Sequence, residues 1–167
     1  MASLPASPDL AVIATPADTV PALIKDLGEK GTRAAVVITA GIRDELKQAM
    51  LDARPYILRI QGPNCVGLML PHLGLNASFA AAPRAGDIAF LSQSGALITG
   101  IIDWASARNI GFSHVVSMGD MADEKLIQAA KPVSHIDEAQ GGCSPAGSTG
   151  SITVASAIDA NQCKHGG

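Results

Sequence analysis

Short apolar runs that alternate with segments of helical period are the strongest constraint this chain places on its fold. Asp9-Leu10-Ala11-Val12-Ile13-Ala14 is almost wholly apolar and stops at Thr15-Pro16, the pattern of a parallel strand covered on both faces, with its end on a ligand crevice. Val20, Leu23, Ile24 and Leu27 then recur at helical spacing, with Pro16 and Pro21 near the start and Gly28 or Gly31 placed to stop the helix. A second strand, Ala34 to Thr39, runs into Ala40-Gly41. A second helix carries Leu46, Ala49, Met50 and Ala53, and a third strand covers Tyr56 to Ile60. Strand and helix at this spacing predict a parallel, right-handed, doubly wound α/β sheet.

The third strand ends in Gln61-Gly62-Pro63-Asn64-Cys65-Val66-Gly67, a turn fixed by two glycines and a proline. Scattered Pro and Gly from Leu68 to Asp87 read as a linker or crossover. A second α/β unit follows: a strand from Asp87 to Leu91, a small polar turn at Ser92, a helix from about Gly95 to Asn109, a strand from Phe112 to Ser117 and the loop Met118-Gly119-Asp120. Beyond about Ala130 the periodicity fails, and only Ile152-Thr153-Val154 hints at a strand. The expected organisation is therefore a first domain over 1–75, the start of a second over 76–130, and a weakly structured tail over 131–167.

Composition narrows the partners. The chain is 47% hydrophobic and 16% charged, which suits a globular core, while 3% aromatic content makes that core aliphatic and leaves few platforms for stacking bases. A net charge of −3 offers no general attraction to nucleic acid or an anionic membrane. No apolar run approaches the roughly 18 residues of a membrane span. The N-terminus, Met1-Ala2-Ser3-Leu4-Pro5, has no basic segment followed by an apolar one, so no secretory signal is read there. Cys65, Cys143 and Cys163 are too few and too irregular for a disulfide framework or a zinc site, and the expected compartment is cytoplasmic.

Function is sought first at Phe90-Leu91-Ser92-Gln93-Ser94-Gly95-Ala96-Leu97, a strand that passes through a polar turn straight into a helix with apolar residues at Leu97, Ile98, Ile101, Ile102 and Ala105. The free N–H groups and dipole of such a helix start favour a phosphate or carboxylate. An ordinary N-cap is the plainer reading of the same serines. A third reading makes Ser94 the nucleophile of a serine hydrolase, on an elbow whose flanking glycines are replaced, with His135 or His165 needed from the tail. Cys65 reads as a buried structural thiol. His72 and His114 lack companions at metal-ligand spacing, Asp103 reads as an exposed partner for Arg108, and Asp120 is a candidate for the site.

Taken in order, Asp9 to Pro16, Ile38-Thr39-Ala40-Gly41, Gly62-Pro63-Asn64-Cys65-Val66-Gly67 and Leu91-Ser92-Gln93-Ser94-Gly95-Ala96 closely resemble the NDP-forming acyl-CoA synthetases, the family of ADP-forming acetate–CoA ligase and the succinyl-CoA synthetase α subunit. Asp103-Trp104-Ala105, Gly111-Phe112-Ser113-His114 and Ser117-Met118-Gly119-Asp120 strengthen the match and are similar to long bacterial members with an added protein lysine acetyltransferase domain. The likeness runs from about Leu4 to Asp123, and four ordered motifs are more specific than any one.

The resemblance implies a partial Rossmann-like CoA-binding unit followed by a partial flavodoxin-like, succinyl-CoA synthetase-like unit, with parallel sheets. It implies a ligase that interconverts acyl-CoA, ADP and phosphate with a small carboxylic acid, CoA and ATP, through an acyl phosphate and a phosphorylated histidine; the complete enzyme uses CoA, ATP or ADP, and Mg. Thr15, Pro16, Thr39, Gly41, Gly62, Pro63 and Asn64 are then expected to line the CoA crevice at the strand ends, where open α/β sheets hold ligands. Ser92, Gln93, Ser94, Gly95 and Ala96 are expected to form the helix start that holds phosphate or phosphohistidine.

The family's earlier glycine loop, its acidic segment with a histidine-orienting glutamate, and its histidine loop are not found, and Asp123-Glu124-Lys125 replaces the expected continuation. The chain is accordingly read as a fragment that is catalytically incomplete alone, with remaining ligase domains or a subunit as partners. Its tail after Ala129-Ala130-Lys131-Pro132-Val133 is read as off-family, the product of an internal deletion and a change of frame. A non-catalytic CoA-binding or subunit-interaction module is the alternative, with sheet edges left open by the missing first unit favouring association.

Overall fold

Side chains alternate between two apolar surfaces along the first two strands, and that alternation sets the layering. The computed structural model describes residues 6–55 and 57–123 and the backbone of 154–158. The first unit contains β1 (Leu10–Ala14), α1 (Val20–Glu29), β2 (Ala34–Val37), α2 (Asp44–Ala53) and β3 (Arg59–Gln61). Ala11, Ile13, Ala35 and Val37 face one way and pack with Val20, Ile24 and Leu27 of α1 and Met50 of α2. Leu10, Val12, Ala34, Val36 and Ile38 face the other way. Both faces are therefore apolar, which is why these strands read as continuous hydrophobic runs. Ile13, Ile24, Leu27 and Met50 are fully buried, each contributing about 1.5–3 kcal/mol by leaving water.

The second unit contains β4 (Gly67–Leu70), β5 (Leu75–Ser78), β6 (Ala85–Ser92), α3 (Gly95–Ser106) and β7 (Phe112–Ser117). Its sheet runs β5-β4-β7-β6, while the first runs β3-β2-β1-β8, with β8 at Val154–Ile158. Met69, Phe112 and Val115 pack against Ile98, Ile102 and Ala105 of α3. Leu68, Leu75 and Ala77 turn to the opposite face and meet the second apolar surface of the first sheet, with Cys65 between them. The described layers are thus two helices, a sheet, a second sheet and one helix.

Several expectations need correction. Among the described residues, helices cover only one face of the first sheet, because the second sheet takes the place of the far helical layer of a doubly wound fold. Leu68 to Asp87 is no linker: β4 and β5 pair antiparallel from Gly67↔Ser78 to Leu70↔Leu75. The parallel expectation holds for β1, β2 and β3 and for β6 with β7, but β4 is antiparallel to β7 as well as to β5. The third strand starts late, at Arg59, because Leu58 N donates to Pro55 O in a turn. In the tail, Val154–Ile158 pairs parallel with β1 from Leu10↔Val154 to Ala14↔Ile158, so the β1 edge expected to stand open is occupied. The other readings of 131–167, including His135, Cys143, Cys163, His165 and the change of frame, fall outside the described residues.

Candidate functional site

The start of α3 is built by its own serines. Ser92 Oγ accepts from Ser94 N at 3.1 Å, which folds the turn after β6, and Ser94 Oγ accepts from Leu97 N at 3.3 Å as the N-cap. The N–H groups of Gly95 and Ala96 are left as first-turn donors with no acceptor inside the helix. Gly95 is needed for packing: a Cβ there would lie 2.6 Å from Val66 Cγ2, so the helix start is pressed against the Gly62–Gly67 turn. Ser94 has φ −81° and ψ 114°, ordinary extended backbone without the strain of a nucleophile elbow. Its hydroxyl serves as the cap, and neither described histidine, His72 or His114, lines the adjoining cleft.

A joint between the two units holds the opposite wall. Gln61 is buried and donates through Nε2 to Gly67 O at 2.9 Å and Ser117 O at 2.8 Å, while Val66 N donates to Ser117 Oγ at 2.9 Å. The loop after β7 folds back on the turn: Asp120 N donates to Pro63 O at 2.9 Å and Ala122 N to Gly62 O at 3.0 Å. This approach requires Gly119, which has φ 55° and whose Cβ would stand 2.1 Å from Pro63 O. Arg54 and Asp123 form an ion pair across the joint, with side chains 18% and 1% exposed.

A cleft of about 660 Å³ lies between these walls. Ile38, Ala40, Asn64, Cys65 and Val66 line one side, and Gln93, Ser94, Gly95, Ala96 and Thr99 the other, with Phe79 among them. A smaller cavity of about 270 Å³ continues past Ile38 and Ala40 to Ala14, Thr15, Ala17 and Thr39 at the ends of β1 and β2. Thr39 Oγ1 donates to Thr15 O at 2.8 Å and stitches those ends together. Of the expected residues, Thr15, Thr39, Asn64, Gln93, Ser94, Gly95 and Ala96 line one of these two cavities. Pro16, Gly41, Gly62, Pro63 and Ser92 line neither. Pro16 O instead accepts from Thr19 Oγ1, Gly62 and Pro63 receive the β7 loop, and Ser92 folds the turn.

Sequence reasoning missed Ile38, Ala40, Val66, Phe79 and Thr99 as lining residues. Ile38, Ala40 and Val66 stand inside the strand-end motifs beside more polar residues, and Phe79 stands in the segment expected to be a linker. Among the described residues, none that lines the larger cleft carries a charged side chain. Asp120 is at its edge, where Asn64 Nδ2 donates to Asp120 Oδ1 at 3.2 Å. Burial pushes the Cys65 thiol from 9.0 to about 12, with a Gly67 backbone hydrogen bond pulling down and the Asp120 charge pushing up. Cys65 Sγ donates to Val37 O at 3.3 Å, so it is a structural thiol. Arg108 pairs with Trp104, lying 4.4 Å over its ring, where Asp103 was the expected partner. Among the described residues no group of acidic, histidine and cysteine side chains could hold a metal ion, and no helix is long and apolar enough to cross a membrane.

Known proteins resemble this chain in sequence and in fold. A CoA binding domain matches residues 1–71, and a succinyl-CoA ligase like flavodoxin domain matches residues 85–138. The chain is similar to acetate–CoA ligase (ADP-forming) of Methanocaldococcus jannaschii, 46% identical over 121 residues that make up 69% of this chain and 17% of that protein. It is also similar to the alpha subunit of acetate–CoA ligase (ADP-forming) II of Pyrococcus furiosus, 42% identical over 127 residues, 72% of this chain and 28% of that subunit. Among solved structures, the Ca. Korarchaeum cryptofilum dinucleotide forming acetyl-coenzyme A synthetase 1 in complex with phosphate and ADP superposes with a TM-score of 0.70 at 36% identity, over 77% of this chain and 30% of that one. The chain spans less than a third of each of these relatives.

Proposed function

The chain belongs to the ADP-forming acetate–CoA ligase and succinyl-CoA ligase-like family and carries its CoA-binding domain, and we propose that its cleft holds CoA with the reacting phosphate at the start of α3. One observation carries this reading: a single cleft of about 660 Å³ joins Ile38, Ala40 and Asn64 to the first turn of α3. That volume suits a small-molecule ligand, which generally occupies roughly 300–1,000 Å³. With the first turn of α3 on its wall and no acidic side chain among its described lining residues, the cleft suits an anion.

In this reading Thr15, Thr39 and Asn64 contact CoA at the strand ends, and Gln93, Ser94, Gly95 and Ala96 hold the phosphate. Pro16, Gly41, Gly62, Pro63 and Ser92 act one step back, by shaping the turns that carry those residues. Phosphate attack on the thioester carbonyl breaks the C–S bond, releases CoA as its thiol and leaves an acyl phosphate. Its phosphoryl group passes to a histidine, releasing the carboxylic acid, and then to ADP, giving ATP. The helix start stabilises the negative charge carried by the phosphate through these steps.

The family's histidine loop is not found in the sequence and no histidine among the described residues lines the cleft, so we assign the phosphorylated histidine to the remaining ligase domains or to a partner subunit, together with the sites for ATP or ADP and Mg. The chain alone supplies the cradle and is catalytically incomplete. We place it in the cytoplasm and, on the Asp103 to Asp120 motifs, among the long members with an added lysine acetyltransferase domain; sequence flanking the gene that lacks such a domain would refute that placement. Titration calorimetry with CoA tests the central reading: saturable heat at one site per chain is expected, and its absence refutes it. Incubation with labelled ATP should leave the chain unlabelled, and stable label on one of its histidines would refute the assignment of that residue elsewhere.

A further inference from the structure

Phe79 is held out from the molecule by a turn that is itself fixed. Asn76 Nδ2 donates to Ala80 O at 3.0 Å, Ala80 N donates to Ser78 Oγ at 3.1 Å, and Phe79 N donates to Val66 O at 3.4 Å. Ala80 packs into the core beneath α3, yet Phe79 belongs to no apolar cluster and is 67% exposed on the lining of the cleft. Other aromatic residues behave differently: Phe90 and Phe112 pack with each other, centroids 6.3 Å apart, and Trp104 carries Arg108 on its ring. A rigid turn that presents a bare phenyl ring to a cleft leaves apolar area for a ligand to cover.

We propose that Phe79, with Val66, forms the wall against which the acyl group of the thioester packs, and that Phe79 sets the preference for acyl length. The inference rests on the reading of the cleft as a CoA site. Position argues for the acyl end. Val66 lies directly against Gly95, where the phosphate is held, and the acyl chain is bonded to the very carbonyl that this phosphate attacks. An apolar wall beside the phosphate therefore meets the acyl chain. The polar lining at Asn64, Gln93 and Ser94 is left for the rest of the ligand.

Calorimetric titrations of the chain with CoA, acetyl-CoA and butyryl-CoA test this. Two further methylenes covered by the wall should favour butyryl-CoA over acetyl-CoA by about tenfold. In Phe79→Ala that ratio should fall to about twofold, while Phe79→Leu should keep most of it. Equal weakening of all three ligands in Phe79→Ala would overturn the proposal by moving the ring to a part of CoA they share. An unchanged ratio would also overturn it. If the wild-type chain binds no CoA, the underlying reading fails, and this inference fails with it.

Discussion

The two α/β units differ in how completely they are covered. In the first, Ala11, Ile13 and Val37 lie under α1 and α2 while Leu10 and Val36 lie under the second sheet, so both faces of β1 and β2 are closed. In the second, no residue of β6 is fully buried, and Leu97 and Trp104 on the outer side of α3 are 52% and 51% exposed. Helix α3 is apolar nearly all round, as helices covered on every side generally are. The first unit is thus a finished scaffold, whereas the second presents a surface. The cleft lies where they meet, so its shape depends on the joint between them more than on either unit alone.

The joint should therefore be the most sensitive part. Arg54→Met deprives the Asp123 carboxylate, 1% exposed, of its guanidinium partner and should cost about 3 kcal/mol, read as a lower urea midpoint. Adding Asp123→Leu should recover much of that loss. A midpoint unchanged in Arg54→Met would mean the units are not clasped by this pair.

A smaller effect is expected from Cys65, the buried thiol between the sheets. Its folded pKa of about 12 exceeds the ordinary 9.0, so above pH 9 the unfolded chain gives up a proton that the folded one retains. The stabilising contribution is complete below pH 9 and shrinks as pH rises toward 12, by about 1.4 kcal/mol per pH unit. Urea unfolding from pH 8 to 10.5 should show this decline in the wild type and not in Cys65→Ser. Parallel curves for the two would place water at the sheet interface. The smallest effect belongs to the open unit: Trp104→Ser should change stability by less than about 0.5 kcal/mol, and a larger loss would show that the outer face of α3 is covered.

Legibility in the sequence followed the same division. Where both strand faces are apolar, as in β1 and β2, or a helix has one clear stripe, as in α1, the period alone located the element. The β4 and β5 hairpin was hidden because its strands have only four residues each and stand among Gly67, Pro71 and Gly74, residues that usually mark a loop. Phe79 was hidden with it. Of the polar residues that line the two cavities, Ser94 was legible from a strand that turns straight into a helix, and Thr15, Thr39 and Asn64 through the family resemblance. The apolar lining was not, because Ile38 and Val66 look the same in a core as in a pocket. Side-chain partnership failed at Arg108 for a geometric reason: Asp103 is five residues away and on another face, whereas Trp104 is four away and directly beneath it.

The central claim is that the start of α3 holds the reacting phosphate beside bound CoA, and Ser94→Asp tests it most directly. Aspartate caps a helix as well as serine does, so the fold should be retained, but its carboxylate would stand at the proposed phosphate site. Calorimetric titration with CoA in the presence of inorganic phosphate should show at least about tenfold weaker phosphate-dependent binding in Ser94→Asp, a loss of about 1.4 kcal/mol. Binding by Ser94→Asp equal to that of the wild type would contradict the account.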